Sequence, residues 1–261
     1  MCVRGASASG GSILIKTQDE ISRLRDANRI VARILSRLSA MIEPGVSTYE
    51  LDRMAEQMSS DMGAKPAFKG YRGFPAALCI SLNEEVVHGI PSRKRILRQG
   101  DVVSLDFGVL YRGFYGDSAM TVGVGELSPD NRRLLQVTEN SLLCGVSSAL
   151  PGNRVSDISR AVQDCVEKEG FSIVRDFVGH GIGRSLHEPP EIPNYVMNAP
   201  SPRLRPGMVL AIEPMVNGGD YKVRVLRDGW TVVTADGSRS AHFEHSVAIT
   251  EDGCEVLSAR D

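Results

Sequence analysis

Two acidic side chains, Asp106 and Asp117, lie in a stretch whose pattern predicts a β-hairpin. Residues 104–118 place Val, Leu, Phe and Tyr on both sides of a short Tyr-Arg-Gly connection, which is typical of a tight turn. With a loop at Tyr111 and Arg112, we expect the two acids to face each other directly, with Cβ atoms roughly 4.5–5.5 Å apart. Carboxylates held that close repel each other, so the pattern predicts a cation between them.

An internal repeat predicts two further acids at the same place. At an offset of 107 residues, Pro44-Gly45 recurs as Pro151-Gly152 and the position of Asp106 becomes Glu213. Glu244 supplies a second late carboxylate in the second half of the chain. Two such halves folded face to face about a pseudo-twofold axis would bring four carboxylates together at their seam.

Four carboxylates carry a formal charge of −4, which two divalent cations would balance. His180 is the natural imidazole partner, because Gly179 and Gly181 leave space around it. An oxygen-rich set with one imidazole suits Mn, Fe or Co as well as Zn, whereas a structural zinc site would use thiolates and be closed. The pattern therefore indicates an open, catalytic dinuclear site for metal-assisted hydrolysis.

Helix signals divide each half into two helices followed by strands. Capping boxes at Thr17–Glu20 and Ser47–Glu50, and an N-cap at Ser128-Pro129, predict helix starts. Another short helix begins at Val155-Ser156, and one strand is expected from Phe171 to Phe177. We predict an α+β fold in which helices cover a central antiparallel sheet.

The domain organisation follows from this pattern. Residues 1–12 are expected to be a flexible leader, and residues 13–261 a single catalytic domain with pseudo-repeats at about 17–125 and 128–250.

Composition excludes several classes of protein. The net charge of −2 lacks the basic balance of a nucleic-acid binder, and no apolar run reaches the ~18 residues that a membrane span needs. The five cysteines are scattered and contain no C-x-x-C, which argues against a disulfide framework and a zinc finger. We expect a protein of the reducing cytoplasm.

Several motifs, taken in order, resemble the methionine aminopeptidases of the bacterial type I class, which have the pita-bread fold. The resemblance runs from about Ile13 to the C-terminus. It rests on the Asp106/Asp117 hairpin and on the motifs at residues 87–91, 179–189, 212–216 and 243–245. It implies removal of the initiator methionine from nascent chains, preferentially when the second residue is small. It also implies a monomer with transient ribosome association.

The resemblance implies a role for each chemical residue. Five ligands would hold two divalent ions (Co, Mn, Fe or Zn): Asp106, Asp117, His180, Glu213 and Glu244. Asp117 and Glu244 would bridge the ions, and Glu213 would also be the general base. His88 would contact the scissile amide nitrogen, and His187 would bind the carbonyl oxygen.

The family's methionine pocket is apolar, and six residues fall at matching positions: Phe68, Tyr71, Phe74, Cys79, Leu186 and Trp230. A thioether suits such a pocket through dispersion and sulfur–ring contacts. The sequence departs from the better-known bacterial pattern at Arg72, where His is common, at Phe74 for Tyr, and at Leu186 for Phe. The detailed shape of the pocket therefore stays open.

Other interpretations of these residues are open from the sequence. A lone Asp on a strand is usually a surface charge, His88 alone reads as a loop residue, and Cys79 and Trp230 could be packing. His242 and His245 flank Glu244, as ligands or, more in keeping with the pattern, on the surface or behind the ligands. The rival functions are a non-enzymatic pita-bread module that binds peptides or ribosomes, and a proline-cleaving relative, which would usually carry a large N-terminal domain.

Overall fold

The computed structural model describes residues 3–4 and 12–260. Most of the predicted leader, residues 1–12, lies outside the described residues. Within it, strand β1 (Val3–Arg4) pairs with Phe177 and Val178. No helix of the described ranges is both long enough and apolar enough to cross a membrane.

The helices begin where their caps predict. They are α1 (Gln18–Ser39), α2 (Thr48–Asp61), α3 (Pro129–Ser147) and α4 (Val155–Lys168). Thr17 and Ser47 each accept a hydrogen bond from the backbone of the glutamate three residues on, whose carboxylate accepts from the cap backbone in return. This reciprocal capping satisfies donors that a helix start otherwise leaves unpaired.

The strands form short antiparallel sheets. In chain order they are β2 (Lys65–Pro66), β3 (Cys79–Leu82), β4 (Glu85–Val87), β5 (Val102–Tyr111), β6 (Phe114–Gly123), β7 (Ser172–Ile173), β8 (Phe177–Gly181), β9 (Glu188–Ile192), β10 (Val209–Ile212), β11 (Met215–Asn217), β12 (Val223–Val225), β13 (Val232–Thr234), β14 (Ser240–His242), β15 (His245–Ile249) and β16 (Cys254–Val256). The single strand predicted over residues 171–177 is wrong. It divides into β7, which pairs with β11, and β8, which pairs with β10, because the two pieces serve different sheets.

The β5–β6 hairpin exists, but its register differs from the prediction. The two-residue turn is Arg112-Gly113, both with positive φ, so Asp106 pairs with Ala119 and Asp117 pairs with Gly108. The direct Asp106–Asp117 pairing is therefore wrong. The acids still share one face, because Ala119 and Asp117 are two residues apart on β6, and they are diagonal neighbours.

The internal repeat is visible in the backbone hydrogen bonds. Gly45 N–H donates to Leu97 O at 2.9 Å, and Gly152 N–H donates to Leu204 O at 3.0 Å, both at the predicted offset. Gly45 and Gly152 have φ of 98° and 89°, which glycine adopts without strain. The pseudo-twofold repeat of the fold is thus confirmed.

The two halves join where β6 meets the segment around Glu244. The Glu244 N–H donates to Ala119 O at 2.9 Å, and the Ser118 hydroxyl donates to Glu244 O at 2.7 Å. In the other direction, the Ser246 hydroxyl donates to Asp117 O at 2.8 Å. α1 and α2 pack on the first half's sheet and α3 and α4 on the second, each burying an apolar cluster. This seam fixes Asp117 and Glu244 relative to each other.

Candidate active site

Four acids from four chain segments are buried at this seam. Asp106 lies on β5, Asp117 on β6, Glu213 directly after β10, and Glu244 between β14 and β15. All four are at most 3% exposed. Surface charges would be solvated, so the surface-charge interpretation is wrong for these acids.

Three of the predicted metal ligands converge closely. Ligand atoms of Asp117, His180 and Glu244 all lie within 4.8 Å of one another. Glu213 Oε1 lies 3.6 Å from His180 Nε2, so it belongs to the same cluster. Among the described residues, Glu244 Oε1 is buried and has no hydrogen-bond partner. Buried oxygen donors around one imidazole fit a divalent cation of the first transition row.

His180 is oriented by its own backbone surroundings. It lies on β8 opposite Ala211, and its Nδ1 donates a hydrogen bond to Gly181 O at 2.8 Å. A carbonyl oxygen only accepts, so the proton is on Nδ1 and Nε2 presents its lone pair to the acids. Histidine ligands of metals are commonly oriented in this way.

The pKa values of the four acids are shifted in different directions. Burial, together with Asp106 and Glu213 nearby, raises the pKa of Asp117 to about 8. Burial also raises the pKa of Asp106 and raises that of Glu244 well above its ordinary value. The pKa of Glu213 is lowered, because His242 and His180 outweigh the effect of its burial. Burial therefore makes ionisation of Asp106, Asp117 and Glu244 less favourable than that of free carboxyl groups, and a bound cation would oppose this effect.

The sequence left three positions open for His242: a metal ligand, a surface residue or a residue behind the ligands. It is 1% exposed, and its Nε2 lies 3.6 Å from Glu213 Oε2. A surface position for His242 is therefore wrong, and it lies behind a proposed ligand. His245 points away, with Nδ1 and Ser258 Oγ 2.9 Å apart. The alternation of side chains along β14 and β15 could have signalled that two histidines around one acid differ in direction.

Asn194 also supports Glu213 and was missed from the sequence. Its side-chain amide donates to the backbone oxygen of Glu213 at 3.0 Å, and the residue is 1% exposed. The contact joins residues 19 positions apart, so no local pattern could reveal it.

His88 is enclosed by aromatic side chains. His88 is buried with a φ of 61°, and its ring packs edge-on against Phe177 and Trp230, with centroids 5.5 and 6.3 Å away. Its Nε2 has no hydrogen-bond partner among the described residues. Burial lowers the pKa of His88 well below its ordinary value, so the ring is neutral.

His187 is held close to the metal-ligand candidates. Its ring centroid lies 4.3 Å from that of His180, and its Nδ1 lies 2.7 Å from the Tyr71 hydroxyl. The following residue fixes this loop. Glu188 accepts from Lys16 Nζ at 2.6 Å, in a buried ion pair, and from the Ser185 backbone at 3.0 Å.

The predicted pocket residues form one apolar cluster beside the acids. Four are buried and two are half-buried: Phe68, Phe74, Cys79 and Leu186, with Tyr71 and Trp230. Phe74 and Trp230 meet edge to face with centroids 5.3 Å apart. Cys79 pairs with Asp106 in the β3–β5 ladder, so this pocket borders the acids. Arg72 is exposed and lies over the Tyr71 ring, outside the pocket.

Comparison with known proteins shows the same relatives in sequence and in structure. A family model described as metallopeptidase family M24 matches residues 22–251. Methionine aminopeptidase 1 of Bacillus subtilis (strain 168) is 53% identical over 246 residues, covering 94% of this chain and 99% of that protein.

Solved structures agree with this match. The crystal structure of methionine aminopeptidase from Thermotoga maritima superposes with a TM-score of 0.93 at 46% identity, covering 96% of this chain and 100% of that one. A Xaa-Pro dipeptidase from Bacillus anthracis shares the fold at a TM-score of 0.76 and 25% identity, and this chain covers 63% of it. The pita-bread fold, with its antiparallel sheets and covering helices, is confirmed. The chain therefore belongs to metallopeptidase family M24 and, within that family, to the methionine aminopeptidases.

Proposed function

We propose that this protein is a metal-dependent aminopeptidase that removes the initiator methionine from nascent polypeptides. The observation that carries the proposal is the placement of a buried acid–imidazole cluster directly beside an apolar pocket. The family match supplies the reaction class, and the names of the relatives supply the substrate. Nascent-chain N-termini are the proposed partners. Transient ribosome association, a monomeric state and a cytoplasmic location stay predictions.

We further propose that two divalent ions are held by five residues: Asp106, Asp117, His180, Glu213 and Glu244. Asp117 and Glu244 occupy the centre of the seam, which suits bridging ligands. Bound divalent ions would activate a water and polarise the scissile carbonyl, and Co, Mn, Fe and Zn all suit this donor set. The buried acids with raised pKa support a cation there, because a cation would compensate their mutual repulsion.

Proton transfer and substrate contacts are proposed for three side chains: Glu213, His187 and His88. Glu213 is the proposed general base, since its lowered pKa keeps it ionised and able to take the proton of the attacking water. His187 is proposed to donate from Nε2 to the carbonyl oxygen, with the Tyr71 hydroxyl at Nδ1 fixing its ring. His88 presents the buried Nε2 toward the leaving amide nitrogen.

The substrate's methionine side chain would occupy the cluster of Phe68, Phe74, Cys79, Leu186 and Trp230. Aromatic rings and a thiol suit a thioether, and Leu186 adds an aliphatic side chain to the same buried cluster. We propose a preference for a small second residue, because Phe177 and Trp230 pack against His88 at the proposed scissile bond.

The proposal is tested by cleavage of a Met-Ala-Ser peptide with metal-free protein titrated with Mn, Fe, Co and Zn. We expect release of methionine only with added metal, and loss of turnover in Asp106→Ala, a variant that circular dichroism should show to be folded. Full activity of folded Asp106→Ala would contradict the proposed site. Absence of bound metal, with no rescue by Mn or Co, would favour a non-catalytic peptide-binding module. Preferential cleavage of an Ala-Pro peptide would favour a proline-cleaving enzyme of this fold.

A further inference from the structure

A second cavity lies away from the proposed active site, between α1 and the last described residues. Its volume is about 470 Å³, and its polar lining is formed by Arg25, Arg29, Arg33, Ser36, Glu255 and Arg260. None of these residues belongs to the site described above. The volume is within the range of small-molecule sites, which runs from roughly 300 to 1,000 Å³.

The lining carries a large excess of positive charge. Arg25, Arg29 and Arg33 occupy the same face of α1 on successive turns, where like charges repel each other. Among the described residues, the only acid in the lining is Glu255. Arg25 binds it in a fork, with Nε–Oε1 and Nη2–Oε2 distances of 2.6 and 2.8 Å. One carboxylate and four guanidinium groups give the described lining residues a net charge of +3.

Arg260 places one of these positive charges partly below the protein surface. It is half-buried, and its Nη1 donates to Ser118 Oγ at 3.0 Å. Glu139 and Glu244 also attract this guanidinium group from outside the cavity lining. Ser118 lies on the seam, where its own hydroxyl donates to Glu244 O. Arg260 therefore connects the cavity lining to the back of the seam.

We propose that this cavity binds a compact anion that carries two or more phosphate groups. Guanidinium groups match phosphate oxygens in fork geometry, and three excess charges correspond to a diphosphate or a larger oligophosphate. The concave shape favours a compact ligand over the backbone of a nucleic acid. Arg37, one turn further along α1, is exposed and lies outside the lining, so the excess charge is concentrated in the cavity.

The test is a calorimetric titration of the full chain with pyrophosphate at constant ionic strength. Arg33→Gln and Arg37→Gln form a matched pair, because both residues are exposed on α1 and each change removes one positive charge. We expect Arg33→Gln to bind about tenfold more weakly than wild type, the loss of roughly one charge-assisted contact, and Arg37→Gln to match wild type. Pyrophosphate also binds transition metals, so the difference between the two variants is the measure.

Thermal unfolding gives a second readout. Pyrophosphate should raise the melting temperature of wild type and Arg37→Gln more than that of Arg33→Gln, because a ligand of the folded state stabilises it. Adenosine diphosphate serves as a further probe. Tighter binding than pyrophosphate would identify a nucleotide as the source of the diphosphate, and equal binding would identify the free oligophosphate.

Two results would overturn the proposal. Equal pyrophosphate affinity in Arg33→Gln and Arg37→Gln would show that the anion binds outside the cavity. Binding of a 12-nucleotide RNA, tighter than pyrophosphate and weakened equally by both variants, would assign the arginines of α1 to an extended nucleic-acid surface instead.

Discussion

The two halves of the chain place their acids by different means. In the first half, Asp106 and Asp117 lie on one continuous hairpin closed by the two-residue turn Arg112-Gly113. In the second half, residues 214–243 separate Glu213 from Glu244. The pairing of Ile212 with His245 in the β10–β15 ladder nevertheless brings these two acids to adjacent positions. One half achieves by local folding what the other achieves by long-range pairing.

Two histidine side chains flank Glu213. β14, within that segment, carries His242, and β8 carries His180, so two imidazoles flank Glu213 at 3.6 Å each. His242 and His180 also act on Asp106, but burial outweighs them there, so the pKa values of the hairpin acids are raised whereas that of Glu213 is lowered. The repeat therefore yields one acid whose pKa is lowered and three whose pKa is raised.

The strongest test of this difference removes the charge of an acid at the seam. Glu244→Gln should lower turnover of a Met-Ala-Ser peptide by more than about a hundredfold, since loss of a residue behind a metal ligand already costs 10- to 100-fold. Steady-state kinetics and metal content of the purified variant measure the effect. Glu251→Gln changes an exposed acid just after β15, so it is the matched control and should behave as wild type.

Removal of metal should make stability depend on pH through Asp117. Its pKa in the folded protein is about 8, above the ordinary value of 3.8, so folding favours its protonated form. This contribution to stability is fully present below pH 3.8 and is lost as pH rises toward about 8. We therefore expect the melting temperature of metal-free protein to fall between pH 5 and pH 8, and added Mn or Co to restore it.

Two variants separate Asp117 from Glu213 in the same measurement. Metal-free Asp117→Asn should show a shallower fall in melting temperature across pH 5 to 8. Glu213→Gln should retain the fall, because the lowered pKa of Glu213 places its titration below its ordinary value of 4.5. If the melting temperature falls equally steeply in wild type and Asp117→Asn, the pH dependence does not come from Asp117.

A smaller effect is expected from the imidazole behind Glu213. His242→Gln should lower activity by about 10- to 100-fold and weaken metal binding, because the variant loses the imidazole beside Glu213. His245→Gln is the control on the other side of Glu244, since His245 contacts Ser258 instead. Comparable losses in the two variants would show that the region as a whole matters, and not the contact of His242.

Local signals predicted much of this fold correctly. The caps at Thr17, Ser47 and Ser128 lie where helices begin, because a cap is a contact between residues three apart. The repeat at an offset of 107 was also visible in the sequence, and it related Asp106 to Glu213.

The site contacts that the sequence did not predict are non-local. The contact of His242 with Glu213, that of Asn194 with Glu213, and the packing of Phe177 on His88 all join residues far apart in the chain. The wrong hairpin register has a local cause. A two-residue turn of this kind needs positive φ at both central positions, so Gly113 belongs in the turn and Tyr111 in the strand.

The smallest expected effect is at the Arg112-Gly113 turn, which closes the hairpin of the first half. Arg112 has a φ of 48°, a left-handed conformation that costs a non-glycine residue about 1 kcal/mol and that Asn tolerates better. Arg112 also lies over the Tyr111 ring at 4.9 Å, an exposed contact that contributes about 0.5 kcal/mol. Arg112→Asn should therefore raise the free energy of unfolding by about 0.5 kcal/mol, measured by urea denaturation, with activity unchanged. Arg112→Ala keeps the strain and loses the ring contact, so it should lower stability by a similar amount. Equal destabilisation of both variants would contradict a stabilising role for the turn. The positions of Asp106 and Asp117 would then be set by contacts at the seam, as those of Glu213 and Glu244 are.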